Sequence, residues 1–371
     1  MPYPQLDRSR LKLAPLGQRS NKLDVARDHL DPDSPPRALA AEAEAAILES
    51  AARIREARRK NRAVILAFGA HTIKNGLGSV LGRLVERGWL THLATNGAGI
   101  IHDWEFAWQG KSGEDVRRYV HQGQFGIWQE TGFHLNLALV AGAYEGLGYG
   151  ESVGAMIERE GIVVPSLEEL RGQAIEQLDH DPQKAAAAAD FAWAVRRFEL
   201  QPGVLKIPHP FKSYSVQTTC HRLGVPFTGH PMIGHDIIYE HPLNNCAALG
   251  RAAERDFLSF ANSVSGLEDG VYLSVGSAVM SPMIFEKSLS MVQNLLLQEG
   301  RRMERHHMVV VDLAPMTWDW QRQGEPPLEH PAYYMRYLKT FSRMGGSLRY
   351  VSCDNRDFLL GLSRALAAPA P

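Results

Sequence analysis

The chain has 371 residues, 44% of them hydrophobic and 22% charged, a balance that excludes wholesale disorder. Lys plus Arg number 40 against 41 Asp plus Glu, and the net charge of −1 argues against a dedicated nucleic-acid binder and gives no polybasic membrane signal. The three cysteines, Cys220, Cys246 and Cys353, lie far apart with no CxxC, which excludes a disulfide framework and a thiolate zinc site.

Residues 1–36 are polar and Pro-rich and read as an N-terminal arm without an apolar leader. Ser34, followed by Pro35 and Pro36, predicts an N-cap opening a helix, and the next residues are strong helix formers ending in a basic turn. AVILAFG (63–69) has the apolar run of a buried parallel strand. Leu77, Val80, Leu81, Leu84 and Val85 share one helical face, and WLTHLAT (89–95) reads as a second strand. The stretch 112–200 is expected to be mostly helical, with capping boxes at Ser112/Asp115 and Ser166/Glu169 and an alanine run as a packing face.

From 203 onward α/β alternation returns. Strands are expected at 225–228, 270–275, 308–313 and 347–352, with helices at 247–265 and 282–299, and His306–His307 as a solvated pair. This order predicts an α/β fold: a Rossmann-like, mostly parallel sheet with helices on both faces, plus helical additions, over residues 37–365. No run of about 18 uninterrupted apolar residues occurs, so no transmembrane helix is expected, and the reading is a cytoplasmic protein with neither nucleic acid nor membrane as partner.

In such sheets ligands bind outside the carboxyl ends of the strands. Four segments answer to that rule: Gly69 to Gly76, Thr95 to Gly99 with His102 and Asp103, Gly229 to Asp236, and Gly276-Ser277-Ala278. Small residues there let backbone N–H groups approach a phosphate. Together the turns point to a nucleotide or dinucleotide. No GxGxxG follows a strand, and neither a Walker A nor a GxSxG motif occurs; Gly146, Gly148 and Gly150 read as a loop. His102 could act as a general base, and Asp103 could hold a cationic substrate. The cluster of His209, His221, His230, His235 and His241 offers metal-type ligands but matches no zinc signature, so no metal is assigned.

The blocks GAHTIKNGLGSVLGRLVERGWLTHLATNGAG, VPFTGHPMIGHDIIYEHP and VYLSVGSAVMSPMIFEK, and more weakly SLRYVSCDN, resemble the deoxyhypusine synthase-like family, most closely its bacterial branch of unassigned function. The resemblance spans about 65–350. It implies a Rossmann-like sheet, NAD as cofactor and a homotetramer with sites at dimer interfaces. It assigns NAD contacts to Gly69, His71, Thr72 and Lys74 or Asn75, to Asn96, Gly97, Ala98 and Gly99, to Gly276 and Ser277, and to Asp354. Asp236 becomes the counterpart of an aspartate that holds a substrate amine. The family's glutamate after the second turn and its Ser-Trp-Gly-Lys imine-forming lysine have no match here; Lys339 is the nearest candidate by position.

The expected function is therefore an NAD-dependent enzyme acting on a small polar substrate by amine or hydroxyl oxidation, with or without group transfer. His102 or His235 would take the proton, Asp236 would orient the substrate, and Asp103 and His230 would help to bind it. A polyamine-modifying transferase, like deoxyhypusine or homospermidine synthase, is the runner-up and needs a lysine, Lys339 or Lys287. A metal-dependent hydrolase or lyase using the His209–His241 cluster is the alternative of another class.

Overall fold

Six parallel strands form the centre of the molecule. The computed structural model describes residues 3–368. β1 is Val64–Phe68, β2 His92–Asn96, β3 Phe227–His230, β4 Val271–Val275, β5 His307–Asp312 and β6 Ser347–Ser352. The spatial order is β6-β5-β4-β1-β2-β3, with every neighbouring pair parallel. This is the doubly wound order, in which the chain first builds outward on one side of β1 and then returns to build on the other. The reversal falls between β1 and β4, where Phe68 lies beside Val275.

All five residues of β1 are buried, because both faces of the sheet are covered by helices. Val64, Leu66 and Phe68 join one core, with the helices Ala41–Arg59, Gly78–Glu86 and Asn355–Ala367. Ile65 and Ala67 join the other, with Phe260 and Val264 of Cys246–Ser265 and Phe285 of Met280–Gln298. The period-two alternation of the strand thus feeds two separate apolar layers.

The crossover from β2 to β3 carries the helical segment expected at 112–200. It contains Gln129–Glu145, Tyr149–Arg159, Leu167–Glu176 and Pro182–Arg197. Ala185, Ala187 and Ala188 are buried, as a packing face requires. Ser166 and Glu169 form a reciprocal capping box. Gly146 ends one helix in the left-handed region and Gly148 caps the next, so the glycine cluster is an inter-helix turn.

Several local expectations are corrected. Ser34 caps nothing: the first long helix starts at Ala41 behind Ala40, and no side chain caps it. Ser112 lies in a short strand, Lys111–Glu114, and only Asp115 caps the helix Val116–His121. His306 and His307 are 1% and 4% exposed, so the pair is not solvated; His307 opens β5 and its Nδ1 lies 2.7 Å from the Ser347 hydroxyl. The N-terminal stretch is not a loose arm. Asn21–Asp24 pairs antiparallel with Lys111–Glu114, and Leu16 is fully buried. Among the described residues no helix is long and apolar enough to cross a membrane.

Candidate functional site at the carboxyl edge of the sheet

The carboxyl ends of β1, β4 and β5 are laced together by backbone. The Gly69 N–H donates to the Val275 carbonyl (3.1 Å) and the Gly276 N–H to the Val311 carbonyl (2.9 Å). A Cβ on Gly69 would collide with the Gly276 carbonyl, so glycine is required by close approach. Gly276 is required for another reason: its φ is +58°, in the left-handed region.

Above this junction opens a cleft of about 250 Å³ lined by His71, Asn75, Gly276, Asp312, Cys353 and Asp354. It lies at the switch point of strand order, where open α/β sheets bind ligands. A Cβ on Gly276 would meet only the Asn355 amide, at 3.9 Å, so the backbone there faces free space. Asp312 ends β5, and its Oδ1 accepts the Ala314 N–H (3.2 Å). Asn75 donates to Asn355 (2.8 Å), and Asn355 reaches Thr72 (3.4 Å). Thr72 is fully buried beneath the turn. Burial, followed by the neighbouring Lys74, lowers the pKa of His71. Ser277 accepts the Ser281 N–H (3.1 Å) and so steadies the start of the next helix.

Asp354 borders the cleft with both oxygens engaged. It caps Asn355–Ala367 through the Arg356 N–H, and it pairs with Arg356 (3.0 Å) and Arg37 (2.9 Å). Hydrogen bonding from Arg356 is the leading cause that lowers its pKa, against burial, to about 2. Asp312, which the sequence reading passed over, is the carboxylate with more free acceptor capacity. It was legible as the last residue of an apolar strand, MVVVD, by the strand-end rule that selected the other turns.

The second turn, at the end of β2, opens the helix Gly97–Gln109. Asn96 caps it by accepting the Gly99 N–H (3.0 Å). Gly97 and Gly99 are buried, whereas Asn96 and Ala98 are half-buried. A side chain at Gly97 would collide with the carboxylate of Asp236, which sits directly over this helix N-terminus. Burial raises the Asp236 pKa to about 6, against the opposing effects of His235 and the Met232 N–H. Two phenols, Tyr149 and Tyr239, are close enough for the Asp236 charge to raise their own pKa values beyond the effect of burial. Asp236 Oδ2 and both phenol oxygens are buried without a hydrogen-bond partner. No sequence pattern marked Tyr149, which comes from the helical insertion.

Other expected site residues have different work. Asp103 is 1% exposed and does not face a substrate: it accepts from Ser215 Oγ (2.6 Å), from Gln217 Nε2 (2.9 Å), and from the Val216 and Gln217 N–H groups (3.1 and 3.2 Å). It therefore organises the N-terminus of Val216–Leu223. His102 is tied to Ser112 (2.7 Å), which donates to Glu105 (2.5 Å); burial leads the fall of its pKa to about 4, so the ring is neutral at pH 7. His230 ends β3 rather than sitting in a turn, is 7% exposed, and is paired with Thr228 (2.9 Å), with burial lowering its pKa to about 3. His235 is exposed beside Asp236.

Lys339 is held by Glu325, with its ammonium 4.2 Å from the Tyr333 ring centroid, and these partners raise its pKa, the opposite of what an imine-forming amine needs. Lys287 is an exposed residue paired with Glu286. The expected histidine cluster is dispersed. His209 takes the Trp104 indole N–H (3.1 Å), while His241 accepts the Leu243 N–H (3.0 Å) and stacks on Phe198. Among the described residues no three His, Cys, Asp or Glu side chains form a group able to hold a metal ion.

The strand order, the parallel register and the switch-point cleft define a Rossmann-like α/β protein. No family model and no curated protein matches the chain. Solved structures resemble it distantly. ArgZ, an arginine dihydrolase from the cyanobacterial ornithine–ammonia cycle, aligns with a TM-score of 0.40 and 16% identity over 87% of this chain and 32% of its own. The complex of AgrE with ornithine and NAD+ gives 0.45 and 17% over 89% and 34%. A conserved LOR/SDH protein from Methanococcus maripaludis S2 gives 0.45 and 14% over 90% and 73%. The chain thus spans about a third of the length of ArgZ and AgrE.

Proposed function

We propose that this chain is an enzyme that holds NAD across the carboxyl edge of its sheet and transfers a hydride to or from a small polar substrate, an amine or an alcohol. The observation that carries the reading is the cleft at the β1/β4 switch point, floored by Gly276, beneath which Gly69 packs, and walled by Asp312. The residues fit the group. Glycine backbone admits a pyrophosphate closely, Asp312 has acceptor capacity for ribose hydroxyls, and Asn75 and Asn355 offer amides for a polar ring edge. Bound NAD supplies the hydride acceptor, and the protein supplies placement and electrostatics. Asp236 and His235 are the side chains assigned to the substrate.

The resemblance to the deoxyhypusine synthase-like family supports NAD and a homotetramer as proposals. The paired Lys339 gives no support to aminobutyl transfer. The test is calorimetric titration of NAD into the purified chain and into Asp312→Ala. One NAD per chain is expected, with affinity at least about tenfold weaker in the variant at unchanged melting temperature; a carboxylate bidentate to ribose hydroxyls is worth more than the about 1.4 kcal/mol that tenfold represents. Absence of NAD binding to the wild-type chain would remove the proposal.

A further inference from the structure

We propose that the N-terminus of the helix Gly97–Gln109 is an anion seat for a phosphate or pyrophosphate group, and that the 231–236 turn is a latch whose Asp236 carboxylate occupies that seat until such a group displaces it. This rests on the position of Asp236 and stands whether or not the anion belongs to NAD.

The helix is 13 residues long and begins at the end of β2. Its first N–H groups carry the positive end of the helix dipole, and an anion there is favoured. Asn96 satisfies the Gly99 N–H. The space above Gly97 is filled by the carboxylate of the chain itself: both oxygens and the carboxyl carbon of Asp236 lie where a Cβ would go. That carboxylate is a negative group of the size of one phosphate face, placed where a ligand anion would sit.

The occupant is poorly bonded. Asp236 Oδ2 is buried without a hydrogen-bond partner. Close enough to feel its charge, with its ring against Gly229 at the end of β3, lies a second orphan, the Tyr149 hydroxyl, on a residue 0% exposed. Native structures rarely leave buried polar atoms unpaired, and two together mark a place where a ligand completes the set. A phosphoryl oxygen would accept from the Tyr149 hydroxyl as well as from the helix N–H groups, which Asp236 does not do.

The turn carrying Asp236 is exposed at its tip and carries little packing to hold it. Met232, Ile233, Gly234 and His235 are exposed, and Gly234 has φ +85°. Ile233 is 74% exposed at its tip. The segment just after the turn is anchored, with Ile238 buried and the Tyr239 carbonyl accepting from Arg8 at 2.5 Å. An exposed tip on a pinned base is the arrangement of a latch, and its opening would release Asp236 toward the substrate.

The experiment uses sodium pyrophosphate as the probe, titrated into the full chain by calorimetry. Asp236→Ala should bind it at least tenfold more tightly than the wild type, and Tyr149→Phe added to that variant should remove most of the gain. Glu151→Gln, which removes an exposed charge from a neighbouring helix, should change the affinity less than twofold and controls for net charge. In the wild type, saturating pyrophosphate should speed amide hydrogen exchange at 232–236. Should Asp236→Ala fail to fold, Asp236→Asn keeps the volume, drops the charge and gives the same reading. Equal or weaker binding in the Asp236 variants, or a gain that Glu151→Gln matches, overturns the latch. A pyrophosphate gain without NAD binding to any variant would keep the latch and remove the cofactor proposal.

Discussion

Asp103 shows how a carboxylate near the carboxyl edge of the sheet can be engaged by the chain itself. Its four hydrogen bonds reach a segment 112 or more residues away in sequence, and they hold the start of Val216–Leu223 against the helix Gly97–Gln109. Removing it strands one hydroxyl, two backbone N–H groups and one amide N–H of Gln217 in the core, a loss of about 3 kcal/mol. Asp103→Ala is therefore expected to lower the urea unfolding free energy by that amount while NAD affinity per folded molecule stays within about twofold. Unchanged stability with a large loss of NAD affinity would restore a ligand role. Asp256 is a different case. Burial raises its pKa to about 7, against the N–H groups of Gly150, Gly229 and Tyr149. The unfolded chain releases this proton near pH 4, so between about pH 4 and 7 the native state holds a proton that the unfolded state has lost. For this group stability is greatest at the acidic end, falls as pH rises to about 7, and is level above. Urea unfolding at pH 5 and pH 8 should show wild type losing stability at pH 8 relative to Asp256→Asn, by on the order of a few kcal/mol. Parallel behaviour of the two proteins would mean that the native carboxyl is already ionised at pH 5.

Strands and turns respond to different rules, and so do their variants. Gly69 and Gly276 touch across the β1/β4 junction, yet only the first is fixed by packing. Gly69→Ala forces two backbones apart, at about 1–3 kcal/mol, and should also abolish NAD binding because the floor of the cleft moves. Gly276→Ala points a methyl into the cleft itself; it should cost about 1–2 kcal/mol through its positive φ and should also weaken NAD binding, here by blocking close approach of the pyrophosphate. Thermal unfolding and NAD titration of both variants check these outcomes; unchanged NAD affinity in Gly276→Ala would place the cofactor elsewhere. The core strands were legible for the reason that makes them buried. A run such as VILAF needs no partner to announce itself, and SLRYVS was read over its full length. The short ribbons were not, since NKLD and KSGE are polar and owe their pairing to a contact some 90 residues apart. His306 and His307 misled because an imidazole is polar by composition and apolar enough to bury once Phe285 or Ser347 meets it. At the site, the turn glycines and Asp236 were visible as strand-end residues, whereas Tyr149 and the bonded state of Asp103 depend on long-range packing that no local pattern encodes.

Across the whole molecule, the polar N-terminal stretch turns out to be tied into the core, by the apolar Leu16 and by a buried ion pair at Arg19. Arg19 donates from both terminal nitrogens to Glu105, each at 2.7 Å, and the two side chains are 1% exposed. Glu105 belongs to the helix that opens under Asp236, so the N-terminal stretch and the carboxyl edge of the sheet share one element. Burial opposes both charges, but the partnership prevails: the Glu105 pKa is lowered and the Arg19 pKa raised. Such a pair contributes little as a sum, because desolvation offsets attraction, yet breaking it leaves a buried charge alone. Further along the same stretch, Arg8 reaches the Tyr239 carbonyl and Asn244, at the base of the 231–236 turn. The N-terminal segment therefore acts as a strap joining the helix Gly97–Gln109 to the segment behind the turn. Arg19→Met is expected to lose about 3–5 kcal/mol in urea unfolding, and Arg19→Met with Glu105→Leu should recover most of that, since the second change removes the stranded carboxylate. Deleting residues 1–20 should cost more than Arg19→Met, since it also removes the fully buried Leu16, and, through the loss of Arg8, should speed proteolysis near residue 240. A truncated chain as stable and as protease-resistant as the full one would show that the strap is dispensable to the fold and to the turn it pins.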